Sequence, residues 1–148
     1  MSEGSNMKIA VYFDDKDLAR KALAMAESYA MQSGADFYVL STITRDTPLP
    51  HSEILEHEEE LDARIQAVRN FPEVRCQTRL LVDAADPGEQ IVKFVKRKQI
   101  DWLYLAVPGR SRLARLVGSS TALHVILNAA CPVVTINEQT APEAPAAA

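Results

Sequence analysis

Five short apolar runs, at residues 8–13, 37–42, 75–82, 102–107 and 133–136, are separated by segments in which apolar residues recur every three to four positions. This alternation constrains the fold more than any other feature, because a strand, a crossover helix and a second parallel strand pack together with one handedness. The run at 8–13, Lys-Ile-Ala-Val-Tyr-Phe, is apolar at consecutive rather than alternate positions, as in a strand covered on both faces. The order β-α-β-α-β-α-β-α-β predicts an α/β domain built on a five-stranded parallel sheet with helices on both faces.

The segments between the runs read as helices. Leu18, Ala22, Met25, Ala26 and Tyr29 share one face of the first, with Arg20, Lys21 and Glu27 turned elsewhere, and Gly34 closes it just past the last turn. Pro48 and Pro50 mark a surface loop before the second helix. Ile54, Leu61, Ile65 and Val68 give that helix an apolar face, and its crowd of acids, Glu56, Glu58, Glu59 and Glu60, reads as a solvated face near a helix N-terminus. Asp86-Pro-Gly-Glu89 is a helix start, with Asp86 as cap, Pro87 in the first turn and Glu89 at the capping-box position. Ile91, Phe94 and Val95 face inward from it, and Lys96, Arg97 and Lys98 favour its last turn. The polar pattern of residues 75–82 marks an edge strand, and Ser119 or Ser120 caps the last helix.

At 148 residues and a net charge of −4 the chain suits one core. The mixed charges predict a soluble protein and no nucleic-acid partner, which would need a broad basic face. No apolar run is of membrane-spanning length and the start carries no secretory pattern, so the expected address is cytoplasmic. Cys76 and Cys131 then read as small buried hydrophobes in a reducing compartment. His51, His57 and His124 bear no ligand-like spacing to them, and no metal site is expected.

Ligands of such sheets bind beyond the carboxyl ends of the strands, where the strand order reverses. Asp14, Thr42 and the loop after Val107 lie at such ends. Each has two readings. Asp14 either orders ligand hydroxyls or satisfies the loop and helix that follow, and Asp15 adds little beyond surface charge. Gly109 is a phosphate approach point or the third position of a turn after Pro108. Arg110, Arg112 and Arg115 either meet phosphate or solubilise a loop. Ser119 and Thr121 serve a ligand or cap a helix, and His124 is a packed or surface histidine. The loop lacks the Gly-Lys-Ser/Thr of a Walker motif, and no catalytic residues are assigned.

Several pieces together carry a family resemblance: the first strand ending in Asp14, Val39-Leu-Ser-Thr42, Asp86-Pro-Gly-Glu89, Asp101-Trp-Leu-Tyr-Leu, then Gly118-Ser-Ser before a helix and Ala130-Cys-Pro-Val-Val. Over residues 8–136 the chain resembles the universal stress protein family. The resemblance implies strand order 3-2-1-4-5 in an adenine nucleotide alpha hydrolase-like, Rossmann-like sheet. It makes one domain of residues 8–137, after a flexible lead at 1–7 and before a disordered Ala/Pro tail at 138–148. It also implies that Asp14 lies near the adenine and ribose, that Thr42 lines the base pocket through its backbone, and that Gly109 approaches the phosphates. Gly118, Ser119, Ser120 and Thr121 would offer amides and hydroxyls to the phosphate chain. Nucleotide-binding members carry Gly, two residues, Gly, nine residues, then Gly and a small hydroxyl residue. Here Ala106 stands at the first glycine, and eight residues separate Gly109 from Gly118.

Two functions stay open at this point. One is a regulatory module that binds ATP, AMP or a related adenine nucleotide, with or without magnesium, and without efficient catalysis. The other is a dimeric interaction module of the same fold that binds no nucleotide. A slow ATPase is a weaker third. Both leading readings share a homodimer through the strand Val133–Ile136 and leave the protein partner unspecified.

Overall fold

The computed structural model of the chain describes residues 6–107 and 120–138. The expected order is present: β1 (Lys8–Tyr12), α1 (Asp17–Ser33), β2 (Asp36–Thr44), α2 (His51–Val68), β3 (Cys76–Asp83), α3 (Pro87–Lys98), β4 (Trp102–Ala106), α4 (Ser120–Asn128) and β5 (Val133–Ile136). All strands are parallel in the order β3-β2-β1-β4-β5, so the order reverses between β1 and β4. The tail beyond residue 138 lies outside the described residues.

β1 is central, and successive side chains of its apolar run point to opposite layers. Ile9, Val11 and Phe13 enter a core with α1 and α2, while Ala10 enters a second core with α3 and α4. α1 meets the sheet through small residues. Ala19, Ala22, Ala26 and Ala30, with Leu23, are its buried apolar positions, and Leu18, Met25 and Tyr29 pack at the margin rather than at the centre. Gly34 ends α1 in the left-handed region at φ 72° and donates its N–H to Ala30 O, the role foreseen for it. On the other face, Gly88 lets α3 meet α4: a methyl group there would lie 3.1 Å from His124 Cβ and 3.2 Å from Thr121 O.

Some sequence expectations change. Asp86 stands at the N-cap of α3 in extended conformation, but its carboxylate makes no capping bond, and Pro87 at the first position does the local work. Cys76 and Cys131 are half-buried free thiols rather than fully buried ones, and burial pushes the Cys76 thiol up to about 11. Glu27 is the largest departure. It is fully buried inside α1, where the helical pattern had turned it outward.

Glu27 has a complete set of partners. Arg69 Nε donates to its Oε2 at 2.8 Å, the amide of Phe71 to the same oxygen at 3.0 Å, and the amide of Asn70 to Oε1 at 3.0 Å. The Arg69 side chain, only 4% exposed, also donates to Phe71 O, Val74 O and Gln66 Oε1. The pair thereby ties the segment between α2 and β3 to the middle of α1. Removing one partner leaves a charge uncompensated in the core, which costs about 3–5 kcal/mol. Arg69→Ala is therefore expected to lower unfolding stability by roughly that amount in urea titration.

Candidate functional site

A cleft of about 220 Å³ opens at the carboxyl ends of β1, β2 and β3, beneath α2. Its floor is Phe13, Leu61 and Leu80, its strand-end wall is Asp14 and Thr42, and its outer wall is the α2 flank His57, Glu60 and Arg64. The cleft lies at the end of the sheet where all the parallel strands finish, on the β2 and β3 side of β1, while the reversal of order lies on its other side, between β1 and β4.

The strand ends are fixed by hydrogen bonds. Phe13 N donates to Leu40 O at 2.8 Å, and the Ser41 hydroxyl donates to Phe13 O. The Tyr12 and Thr42 hydroxyls lie 3.1 Å apart, so the Thr42 side chain is held to β1, and Thr42 also lines the cleft. Asp14 is exposed at the rim and accepts the Lys16 amide at 3.2 Å. That bond settles the loop and does not cap α1, whose first cap position is Lys16 itself. One carboxylate oxygen is thus engaged locally, while the other lies 3.9 Å from Lys16 Nζ.

Asp15 does more than carry surface charge. Its backbone is left-handed at φ 66°, an uncommon state for a residue other than glycine that aspartate tolerates better than most. Arg20 donates to its Oδ1 through Nε at 3.3 Å and Nη2 at 3.0 Å, and Arg64 Nε lies 3.7 Å from Oδ2. The turn after β1 is thereby joined to α1 and α2 together.

Of the sequence-assigned site residues, Asp14 and Thr42 meet in this cleft. Thr121 lies in the first turn of α4, against Gly88. Gly109, Gly118 and Ser119 lie outside the described residues, and Ser120 is described only as the first residue of α4. Ala106, in place of the expected glycine, packs its methyl group against the core that contains α1. His124 packs on Gly88 rather than facing the cleft. Sequence reading missed Ser41, His57, Glu60 and Arg64. The spacing of 57, 60, 61 and 64 puts these α2 residues on one helix face, a signal hidden by their mixed chemistry.

Among the described residues no group of three or more His, Cys, Asp or Glu is arranged to hold a metal ion, and no helix is long and apolar enough to cross a membrane. Two other cavities lie elsewhere. One of about 260 Å³ sits between β3 and α3 around Gln90, Lys93 and Arg97. Another of about 490 Å³ opens at the amino ends of β1 and β4 near Lys8 and Asp101, the end of such sheets that ligands do not use.

Residues 5–137 match the model of the universal stress protein family. The chain belongs to that family. It is 28% identical to the universal stress protein MJ0531 of Methanocaldococcus jannaschii over 91% of this chain and 85% of that one. Among solved structures it is similar to a universal stress protein from Archaeoglobus fulgidus in complex with dAMP, at 25% identity and a TM-score of 0.68, covering 88% of this chain and 97% of the other. A universal stress protein in complex with cAMP shares the fold at 21% identity and a TM-score of 0.65, covering 88% and 95% of the two chains.

The turn at Asp15 yields a direct test. Asp15→Val places a β-branched residue in the left-handed region and removes both ion pairs, so it is expected to lower stability by about 1–3 kcal/mol. Asp15→Gly relieves the backbone while losing the same pairs, and its thermal midpoint should stay near the parent's.

Proposed function

We propose that the chain is a regulatory module that binds an adenine nucleotide in the cleft at the ends of β1 and β2, without efficient turnover. The observation that carries this reading is the convergence of the exposed Asp14 and of Thr42 on one cleft at the carboxyl ends of the strands. The cleft is smaller than the usual range for whole drug-sized ligands and suits a base with its ribose. A carboxylate at the exposed rim accepts hydroxyl donors, and Asp14 would hold the ribose. The phosphates would then run toward the start of α4 and Thr121; by the family resemblance Gly118, Ser119 and Ser120 would offer amides and hydroxyls to them and Gly109 would approach them. The dAMP complex of the Archaeoglobus fulgidus relative supports adenine as the base.

If the ligand carries phosphates, magnesium would accompany them. Calorimetric titration with AMP, ADP, ATP and GMP, each with and without magnesium, tests the proposal. Saturable binding of an adenine nucleotide in preference to GMP is expected, and Asp14→Ala should weaken it by about tenfold or more, the loss of a charge-assisted hydrogen bond. No binding of any adenine nucleotide at millimolar concentration would refute it.

The partner part of the reading is a homodimer through β5. Leu103 N donates to Pro132 O and Val107 N to Ile136 O, so the main chain of Val133 and Thr135 faces away from β4 along the outer edge. In α4, Ala122 and Val125 face the sheet and His124 faces α3, which leaves Leu123 and Ile126 on the flank toward that edge. Leu123, Ile126 and Leu127 are 54%, 46% and 72% exposed. Residues 116–137 contain no Asp, Glu, Lys or Arg. A two-fold axis sets each group near its own copy, so a surface without charge is complementary to itself. Thr135→Pro removes an outward-facing amide and leaves the bonds to β4 in place. It is expected to convert a dimer to a monomer in sedimentation velocity, and a monomeric parent protein would dispose of the pairing.

A further inference from the structure

The two edges of the sheet are treated differently. At β3, Arg45 N donates to Asp83 O, which places Asp83 and the alternate residues before it toward β2. The main chain of Thr78, Leu80 and Val82 therefore faces outward, as an exposed edge would. Side chains from α2 occupy that edge. Glu58 Oε2 accepts the Leu80 amide at 2.9 Å, and Asp62 Oδ1 accepts the Thr78 hydroxyl at 2.7 Å. Arg79 Nη1 donates to Thr78 O at 3.2 Å, so a carbonyl of the same edge is also engaged.

Glu58 and Asp62 are one helical turn apart, on the α2 flank opposite His57, Glu60 and Arg64. Leu61 and Ile65 hold the helix on the sheet between the two flanks. The acids that read as a solvated face thus divide: Glu56 and Glu59 are exposed, while Glu58 is half-buried on the strand. A carboxylate on the Leu80 amide does two things. It fills the donor that an incoming strand would need, and it sets negative charge where that strand's carbonyl oxygens would approach.

We propose that Glu58 and Asp62 close the β3 edge against strand addition, so that a second copy of this chain can extend the sheet only at β5. The closure stands on the β3 geometry alone; the restriction of growth to β5 rests on the two-fold pairing proposed above. With β5 as the one open edge, association stops at two copies. With both edges open, copies could also join through β3, and larger assemblies could grow.

The test compares the parent chain with Glu58→Ala/Asp62→Ala in sedimentation velocity over increasing concentration, together with amide hydrogen exchange. The double variant should retain its helical circular dichroism and form species larger than the parent, with mass rising with concentration. Exchange at Leu80 should quicken by about tenfold or more as its charged acceptor is lost. Unchanged mass in the folded variant overturns the proposal, even if Leu80 exchanges faster, because the bond would then be structural only. If the double variant fails to fold, Glu58→Ala alone removes both the acceptor and the charge from the Leu80 amide. Increased mass for that variant supports the closure, and mass equal to the parent's overturns it. The parent's own mass reports separately on β5: a monomeric parent refutes the two-fold pairing, while the closure is still judged by whether the variants gain mass over it.

Discussion

The arrangement of the α1 and α2 layer depends on one buried carboxylate. Glu27 lies on the sheet-facing side of α1 and gathers Arg69 and the amides of Asn70 and Phe71, which follow α2. A buried ion pair is justified energetically only when its remaining donors and acceptors are satisfied, and here they are, because Arg69 also holds Phe71 O and Val74 O. The result is positional. The end of α2 and the start of β3 are fixed relative to α1, and α1 is fixed on β1 by alanines too small to allow sliding without loss of contact.

The sheet was legible because its signals are local and redundant. The uninterrupted apolar run of β1, the β-rich second run, Gly34 after α1 and Pro87 before α3 each point to the same topology. Glu27 was misread for a definable reason. It occupies the same helical stripe as Leu23 and Ala30, but a charge in that stripe is ordinarily at the surface, and its partner Arg69 is 42 residues away. Asp15 was misread in the same way, since the positive φ that gives it a role depends on the chain reversal and on Arg64 from another helix. Pairing across such distances leaves no periodic trace in a single sequence.

The candidate site was legible in part. Asp14 and Thr42 were found because topology alone brings strand ends together. The α2 residues were not, because His57, Glu60 and Arg64 look like any exposed helical face until the helix is laid over the strand ends. The second pair on that helix, Glu58 and Asp62, is distinguished from its acidic neighbours only by the Leu80 amide and the Thr78 hydroxyl.

Besides its apolar seam of Leu61 and Ile65, α2 has three polar attachments of unequal strength among the described residues. Its end is tied to α1 through the buried Arg69 and Glu27, its outer flank is bonded to β3, and its inner flank reaches the β1 turn through Arg64 and Asp15. The last is a 3.7 Å pair between side chains 55% and 38% exposed, which in water contributes little. The weakest attachment is therefore the one that faces the cleft. Arg64 can leave Asp15 at small cost while the core tie and the β3 edge keep their geometry.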